Sequence, residues 1–448
     1  MALEDNDDDF DRQLFSFTDN HLVVEQILRI KHNNSELKCM KLTDLSQYTG
    51  NWDEEEWKRL GVILGHNIYV EELKLIGDNR QNLNVSDLFI GLQMNQHISK
   101  LSLVGINLGG NAMKKLAPFL SNNPLLKKIE LSGCTIGSSG IDTLSNALLG
   151  RSEDTLENID LNGNNFGDIN LDMLVRPLIK CSRLKLLLLN DNGIGINGCT
   201  SLANLLKNGE SNLAHIDLRN NLIDNKCFIA LTSSLARNKN TTLKTLQLWG
   251  NEGITASGWM ALLKLVCNFS SIDNVVESNH NLHNMPTTLR ILVRTLGIDD
   301  AHLLQSCLKM NTNINKLTIT RQKIIWSHAR GELNVGDSTI STSLLPRIIS
   351  WSVDDFHEHN VNLIQYHDPP LPSDRVDATR FDSVFRIVKS RPDLCQYYSP
   401  YCIIPDRITD TLHSFTNSEK ELWHCLTAYD LLWNAHLAAR LETTDVGM

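Results

Sequence analysis

A chain of 448 residues can hold two or three domains, or one elongated repeat array with additions. Its 42% apolar content is enough for an extensive core. A formal net charge of -10 argues against a nucleic acid partner, since phosphate binding needs clustered Lys and Arg.

The first residues, MALEDNDDDFD, have neither a basic n-region nor an apolar h-region, so no secretory signal is expected. No apolar run approaches the length of a membrane span, about 18 residues or more, and no membrane partner is expected. The run Glu4 to Asp11 is read as a disordered acidic tail. The ten cysteines (39, 134, 181, 199, 227, 267, 307, 395, 402 and 425) form no C-x-x-C pair and no zinc-ligand spacing. They are read as free, mostly buried thiols, and the chain as cytoplasmic or nuclear.

HLVVEQILRI, within residues 1–36, reads as a helix that covers the end of whatever follows. Leu37, Met40 and Leu42 then begin a recurring pattern, followed by the helical stretch EEEWKRLGVILGHN. Copies follow at Val70 (VEELKLIGDN), Ile98 (ISKLSLVGINL), Leu126 (LKKIELSGCTI), Leu156 (LENIDLNGNNF), Leu184 (LKLLLLNDNGI), Leu213 (LAHIDLRNNLI) and Leu243 (LKTLQLWGNEGI). Their starts are spaced 28, 28, 30, 28, 29 and 30 residues. Ile272 and Val275 make a degenerate later copy, with Glu277 where a leucine is expected, and Ile314, Leu317, Ile319 and Ile324 another.

L-x-x-L-x-L places alternate residues on the inner side of a short strand. The rest of each unit carries apolar residues at helical spacing, such as Leu202, Leu205 and Leu206. Neither element can bury its apolar face alone, and stacking the units buries both in one core. Over about residues 37 to 327 the pattern resembles the leucine-rich repeat family, and its I-G-x-x-G element is similar to the ribonuclease-inhibitor-like subclass. The resemblance implies an α/β solenoid, a curved horseshoe with parallel strands on the concave side and helices on the convex side. Ile106 and Cys134 depart from it, standing where asparagine is usual.

Past about residue 331 the grammar stops. SLLPRIISW, TRFDSVFRIVKSRP and a helix opened by the capping box Ser418–Glu421 make residues 331–448 a mainly helical C-terminal cap or appendage. The expected domains are thus 1–36, 37–330 and 331–448.

One stretch imitates a nucleotide site. Gly193-Ile-Gly195-Ile-Asn-Gly198 follows an apolar run and precedes a helical pattern, with Asp217 downstream, as in a dinucleotide fingerprint. The same register holds Cys134-Thr-Ile-Gly137 and Asn164-Asn-Phe-Gly167, so Gly195 and Gly198 read as repeat glycines and Gly193 as an accidental third. No cofactor is expected. Asn164, Asn192, Asn221 and Asn251 form a column that in the family hydrogen-bonds neighbouring turns, a structural role.

The candidate functional residues are the outward strand positions. One column carries Ser102, Glu130, Asp160, Leu188, Asp217 and Gln247. A second carries Val104, Ser132, Asn162, Asn190, Arg219 and Trp249, and a third Lys100, Lys128, Asn158, Leu186, His215 and Thr245. The protein-binding positions singled out are Glu130, Asp160, Asn162, Leu186, Leu188, Asn190, Asp217, Arg219, Gln247 and Trp249. His357, His359 and His367 with Asp354, Glu358 and Asp368 look like metal ligands, but they precede PPLPSDR in a loop-like stretch, and an acidic solvent loop is the simpler reading. No G-x-S-x-G, P-loop or H-E-x-x-H occurs, so the chain is not expected to be an enzyme.

The expectation is a non-catalytic scaffold or adaptor that holds another protein on its concave face. The alternative is a regulator of an enzyme, such as a small-GTPase activator or nuclease inhibitor. GTPase activators of this subclass carry an acidic tail after their repeats, whereas here the acidic run comes before them. An immune-receptor-like sensor lacks its P-loop.

Overall fold

The computed structural model describes residues 21–43, 52–77, 84–236, 242–270, 272–286, 289–312, 319, 320 and 323. The chain divides into two units, one running to 265 and including 281–305, the other made of 266–280 and residues from 306 on.

The first unit alternates strand and helix. After helix α1 (His21–Lys31) come β1 (Cys39–Leu42), α2 (Glu54–His66), β2 (Glu72–Ile76), α3 (Leu88–Leu92), β3 (Lys100–Val104) and α4 (Gly110–Asn122). Then follow β4 (Lys128–Glu130), α5 (Gly137–Leu149), β5 (Asn158–Asp160), α6 (Gly167–Leu178), β6 (Leu186–Leu188) and α7 (Ile196–Lys207). The series ends with β7 (His215–Asp217), α8 (Asn225–Leu235), β8 (Thr245–Gln247) and α9 (Ala256–Val266). Helices α10 (Ile272–Glu277), α11 (Leu289–Leu296) and α12 (Ile298–Met310) complete the described elements.

The eight strands form one parallel sheet in chain order, without crossovers. Each strand buries the residues that the pattern predicts, among them Leu101 and Leu103, Ile129 and Leu131, Leu187 and Leu189, and Leu246 and Leu248. Leu144, Leu171, Leu202, Phe228 and Leu262 close the core from the helices. Strands repeat about every 4.8 Å, whereas packed helices need about 8–10 Å. A stack of such units therefore curves toward its strands, which makes the strand face the concave one.

The expected early copy is β1, with Met40 and Leu42 buried, and the helix read in HLVVEQILRI is α1. Gln26 of α1 accepts from the backbone N–H of Lys41 at 3.2 Å, which ties α1 to the first strand. Asp53 opens α2 with a capping box closed by Glu56.

Three expectations need correction. Ile272–Glu277 is the helix α10, not a strand, because an apolar pair three residues apart suits a helix as well as L-x-x-L. The ninth rung of the sheet lies later. Asn284 bridges Thr245 in parallel, and the N–H groups of His283 and Asn284 donate to the carbonyl of Lys244 at 3.1 and 3.0 Å. By the register of the earlier rungs the next donor would be residue 286, a proline, which has no N–H, and the pairing stops there.

Second, Ile319 and Thr320 are helical, against the late strand expected around Ile314 to Ile324; residues 313–318, 321, 322 and 324 lie outside the described residues. Third, the cysteines are not all free. Cys267 and Cys307, 40 residues apart, form a disulfide in the second unit, where the chain just past α9 meets α12 with the two Cα atoms 6.3 Å apart. Cys39, Cys134, Cys181, Cys199 and Cys227 are free, and all but Cys39 are buried.

In the second unit Lys323 is fully buried. Its Nζ donates to the carbonyls of Val266 at 2.6 Å and Asn279 at 3.3 Å, and lies 3.1 Å from Nδ1 of His280. Burial holds its pKa well below the usual lysine value. No helix among the described residues is long and apolar enough to cross a membrane. The acidic run Glu4–Asp11, the histidine-bearing stretch 354–368 and the capping-box helix at Ser418 lie outside the described residues.

Candidate functional site

The register aligns the outward positions into rows. Lys100, Lys128, Asn158, Leu186, His215 and Thr245 are successive partners along one row, and Ser102, Glu130, Asp160, Leu188, Asp217 and Gln247 along the next. Asn162, Asn190, Arg219 and Trp249 follow at the strand ends. The columns read from the sequence are therefore neighbours on one face.

Side chains on this face hold one another. Glu130 accepts from Lys128 at 2.8 Å and from the Ser102 hydroxyl. Burial opposes its charge, but those hydrogen bonds overcome the opposition and hold its pKa below the ordinary carboxylate range. One strand on, burial dominates at Asp160 and raises its pKa, although its carboxylate accepts from the N–H of Asn162 at 3.0 Å. Asp217 is only 1% exposed. Arg219 meets it with two side-chain nitrogens, Nε at 3.0 Å and Nη2 at 2.7 Å, a bidentate pair that fixes the guanidinium across the face. Burial lowers the pKa of His215, with Lys244 and His283 adding repulsion. Leu186 and Leu188 are half-buried, and so is Asn190, whose N–H donates to Oδ1 of Asn162 at 2.7 Å. Trp249 stands apart, 54% exposed.

Beneath the turns the asparagine column forms a ladder. Asn221 donates from Nδ2 to the carbonyls of Leu189 and Leu218, both at 3.0 Å, and its Oδ1 accepts from the N–H groups of Asn192 and Ile194. Asn164, Asn192 and Asn251 make equivalent bonds to their own neighbours. Cys134 begins the ladder in place of an asparagine, its thiol 3.0 Å from the carbonyl of Leu103 and its N–H donating to Asn164. The fold is a leucine-rich repeat solenoid.

The dinucleotide-like turn is already filled by the solenoid itself. Asp168, from the preceding repeat, accepts from the N–H of Gly195 at 2.6 Å and of Asn197 at 3.2 Å, at the start of α7. A phosphate there would meet a carboxylate on the donors it needs. Gly193 is not idle, contrary to the sequence reading. Its φ of +66° continues the left-handed position held by Thr135 at +48° and Asn165 at +49°, while Gly195 has an ordinary negative φ.

A second ladder escaped the apolar pattern. Asn67, Asn95 and Asn123, 28 residues apart, donate from their side chains to backbone carbonyls of the preceding units: Ile30 at 2.9 Å, Leu64 at 2.7 Å and Asn95 at 3.2 Å. Arg151, 28 residues further, takes the same role toward Leu120 and Asn123. The fixed spacing of these polar residues was the signal.

No family model matches the chain, and no curated protein matches it. Among solved structures 67 chains do. One is leiomodin-1 actin-binding site 2, at 14% identity and a TM-score of 0.27, covering 49% of this chain and 96% of that one. Another is an internalin from Listeria monocytogenes, at 16% identity and a TM-score of 0.32, covering 64% of this chain and 68% of that one.

Proposed function

We propose that the chain is a non-catalytic scaffold or adaptor that holds another protein on the β4–β8 part of its concave face. Trp249 carries the reading. A large aromatic left 54% exposed at the rim of a face otherwise tied down by internal hydrogen bonds is a ready contact for a partner. Arg219, held rigid by Asp217, would sit beside it at little cost in side-chain entropy. Asn162, Asn190 and Gln247 supply polar contacts, Leu186 and Leu188 an apolar strip, and Glu130 and Asp160 an acidic flank.

The test is affinity capture of a partner, followed by hydrogen-exchange mapping of the bound face. Trp249→Ala combined with Asp160→Asn should weaken capture about tenfold or more. Undiminished capture, or protection confined to the convex helices, would overturn the reading. Stimulated phosphate release from a captured GTPase would turn the scaffold into an enzyme regulator that uses the same face.

A further inference from the structure

We propose that the β1–β4 end of the concave face binds an acidic, extended segment of another protein. The proposal rests on reading the face as a protein-binding surface, and it names the chemistry of what lies on the half opposite Trp249.

A lysine pair without a carboxylate partner carries it, with a second lysine pair beside it. Lys41 of β1 is directly opposite Lys74 of β2, and Lys100 of β3 is directly opposite Lys128 of β4. Like charges placed opposite on neighbouring strands destabilise a sheet, and nothing in the repeat pattern demands lysine at these outward positions. No described carboxylate lies within 4 Å of the Lys41 or Lys74 ammonium group, whereas Lys100 has Glu72 at 3.6 Å and Lys128 has Glu130 at 2.8 Å. The charge also runs against the chain, whose net value is -10. A solenoid that needed only solubility would not gather lysines on its sheet. An anionic occupant removes the repulsion between Lys41 and Lys74.

The spacing fits an extended peptide. Four strands span about 14 Å across the sheet, the reach of about four or five residues of extended chain. A segment crossing the strands would pass Lys41, Lys74, Lys100 and Lys128 in turn. Glu72 and Glu130 lie among them on the same face, which disfavours an unbroken row of phosphates but leaves room for carboxylates set between neutral residues. An acidic protein segment is therefore favoured over a nucleic acid.

The experiment uses the full chain and a fluorescein-labelled oligo-glutamate peptide, read by fluorescence anisotropy at low and moderate salt. Saturable binding that weakens with salt is expected. Lys41→Glu with Lys74→Glu should weaken it at least about tenfold, while Lys114→Glu in α4 with Lys180→Glu in the turn after α6, both exposed, should change it less than about twofold. Lys41→Gln with Lys74→Gln should weaken binding without lowering the melting temperature, which separates lost binding from lost folding. An absence of saturable binding would overturn the proposal, as would equal losses in the two charge-reversed pairs. Tighter, Lys41- and Lys74-dependent binding of a single-stranded DNA probe would overturn it too, and assign the face to nucleic acid. Trp249→Ala should leave peptide affinity unchanged. If the peptide fails while Trp249→Ala with Asp160→Asn still weakens partner capture, this inference falls and the scaffold reading stands.

Discussion

The carboxylate of Asp168 accepts a 2.6 Å hydrogen bond from the backbone N–H of Gly195, one repeat further along. The bond caps a helix with a side chain from the neighbouring unit, so a local terminus becomes a contact between repeats. Asp168→Ala should cost about 1 kcal/mol, read from the urea midpoint, because it strips an acceptor from the first turn of α7. It should also leave nucleotide affinity undetectable by calorimetry, since the turn is one of a series set by the repeat. A variant that acquired micromolar nucleotide affinity would show that Asp168 had been masking a true site.

The ladder should be far less tolerant. Asn221→Ala removes a side chain that joins two neighbouring repeats and leaves buried backbone groups of Leu189, Leu218, Asn192 and Ile194 short of partners. Each such group costs about 1–3 kcal/mol, so a loss of at least about 3 kcal/mol is expected on chemical unfolding. Asn225→Ala should cost less: the residue is only half-buried, and two of its three bonds to Thr255 and Gly258 are open to solvent, where water can replace them.

Most of this architecture was legible in the sequence because its period is set by apolar residues. Leu126, Leu156, Leu184, Leu213 and Leu243 announce their strands, and the strand positions between them announce which side chains share the face. Two things were not legible. The ninth rung has only buried Leu282 and half-buried Met285 to mark it, and it comes 39 residues after Leu243 rather than the usual 28 to 30. The ladder of Asn67, Asn95, Asn123 and Arg151 is polar, and a search for apolar spacing passes over it. The candidate face was readable as positions but not as interactions. No spacing rule says that Arg219 will pair with Asp217 instead of reaching outward.

The pH response of the face can be read at Glu130. Its pKa is lower in the folded chain than in the unfolded one, so its bonds to Lys128 and Ser102 contribute stability above the unfolded value of about 4.5. That contribution is lost as pH falls through the lower folded value. Glu130→Gln should therefore cost about 1 kcal/mol at pH 7, and the gap between variant and wild type should shrink as the pH is taken down through the lowered folded value, measured as urea midpoints across the range. A gap that widened toward acid would reverse the assignment.

Thiol reactivity offers a further check on burial. The Cys134 thiol is pushed up to about 12 and that of Cys181 to about 11 by burial. At pH 8 iodoacetamide should modify Cys39, which is exposed, and leave Cys134 and Cys181 untouched until the chain is unfolded, as read by peptide mass mapping. Cys267 and Cys307 should react only after reduction.

Close packing makes a prediction at one pair of glycines. A Cβ on Gly61 of α2 would collide with the carbonyl of Leu88 in α3, and one on Gly91 with the backbone of Val62. The obstacle is main chain and cannot swing aside. Gly61→Ala should lower stability by about 2 kcal/mol or more, although alanine is the better helix former.

The ladder of Asn164, Asn192, Asn221 and Asn251 also bears on how such a chain changes over evolutionary time. Each rung addresses only main-chain atoms of its neighbours, which every repeat supplies alike, so the identity of the neighbouring side chains is immaterial to it. Excising residues 193–221 would join Asn192 to Leu222 and restore the same grammar one unit shorter. Gains and losses of part of a unit would leave rungs without the atoms they address. Viable lengths of this array are therefore quantised, and the partner-facing positions can be shuffled, duplicated or dropped in whole units without redesign of the scaffold beneath them.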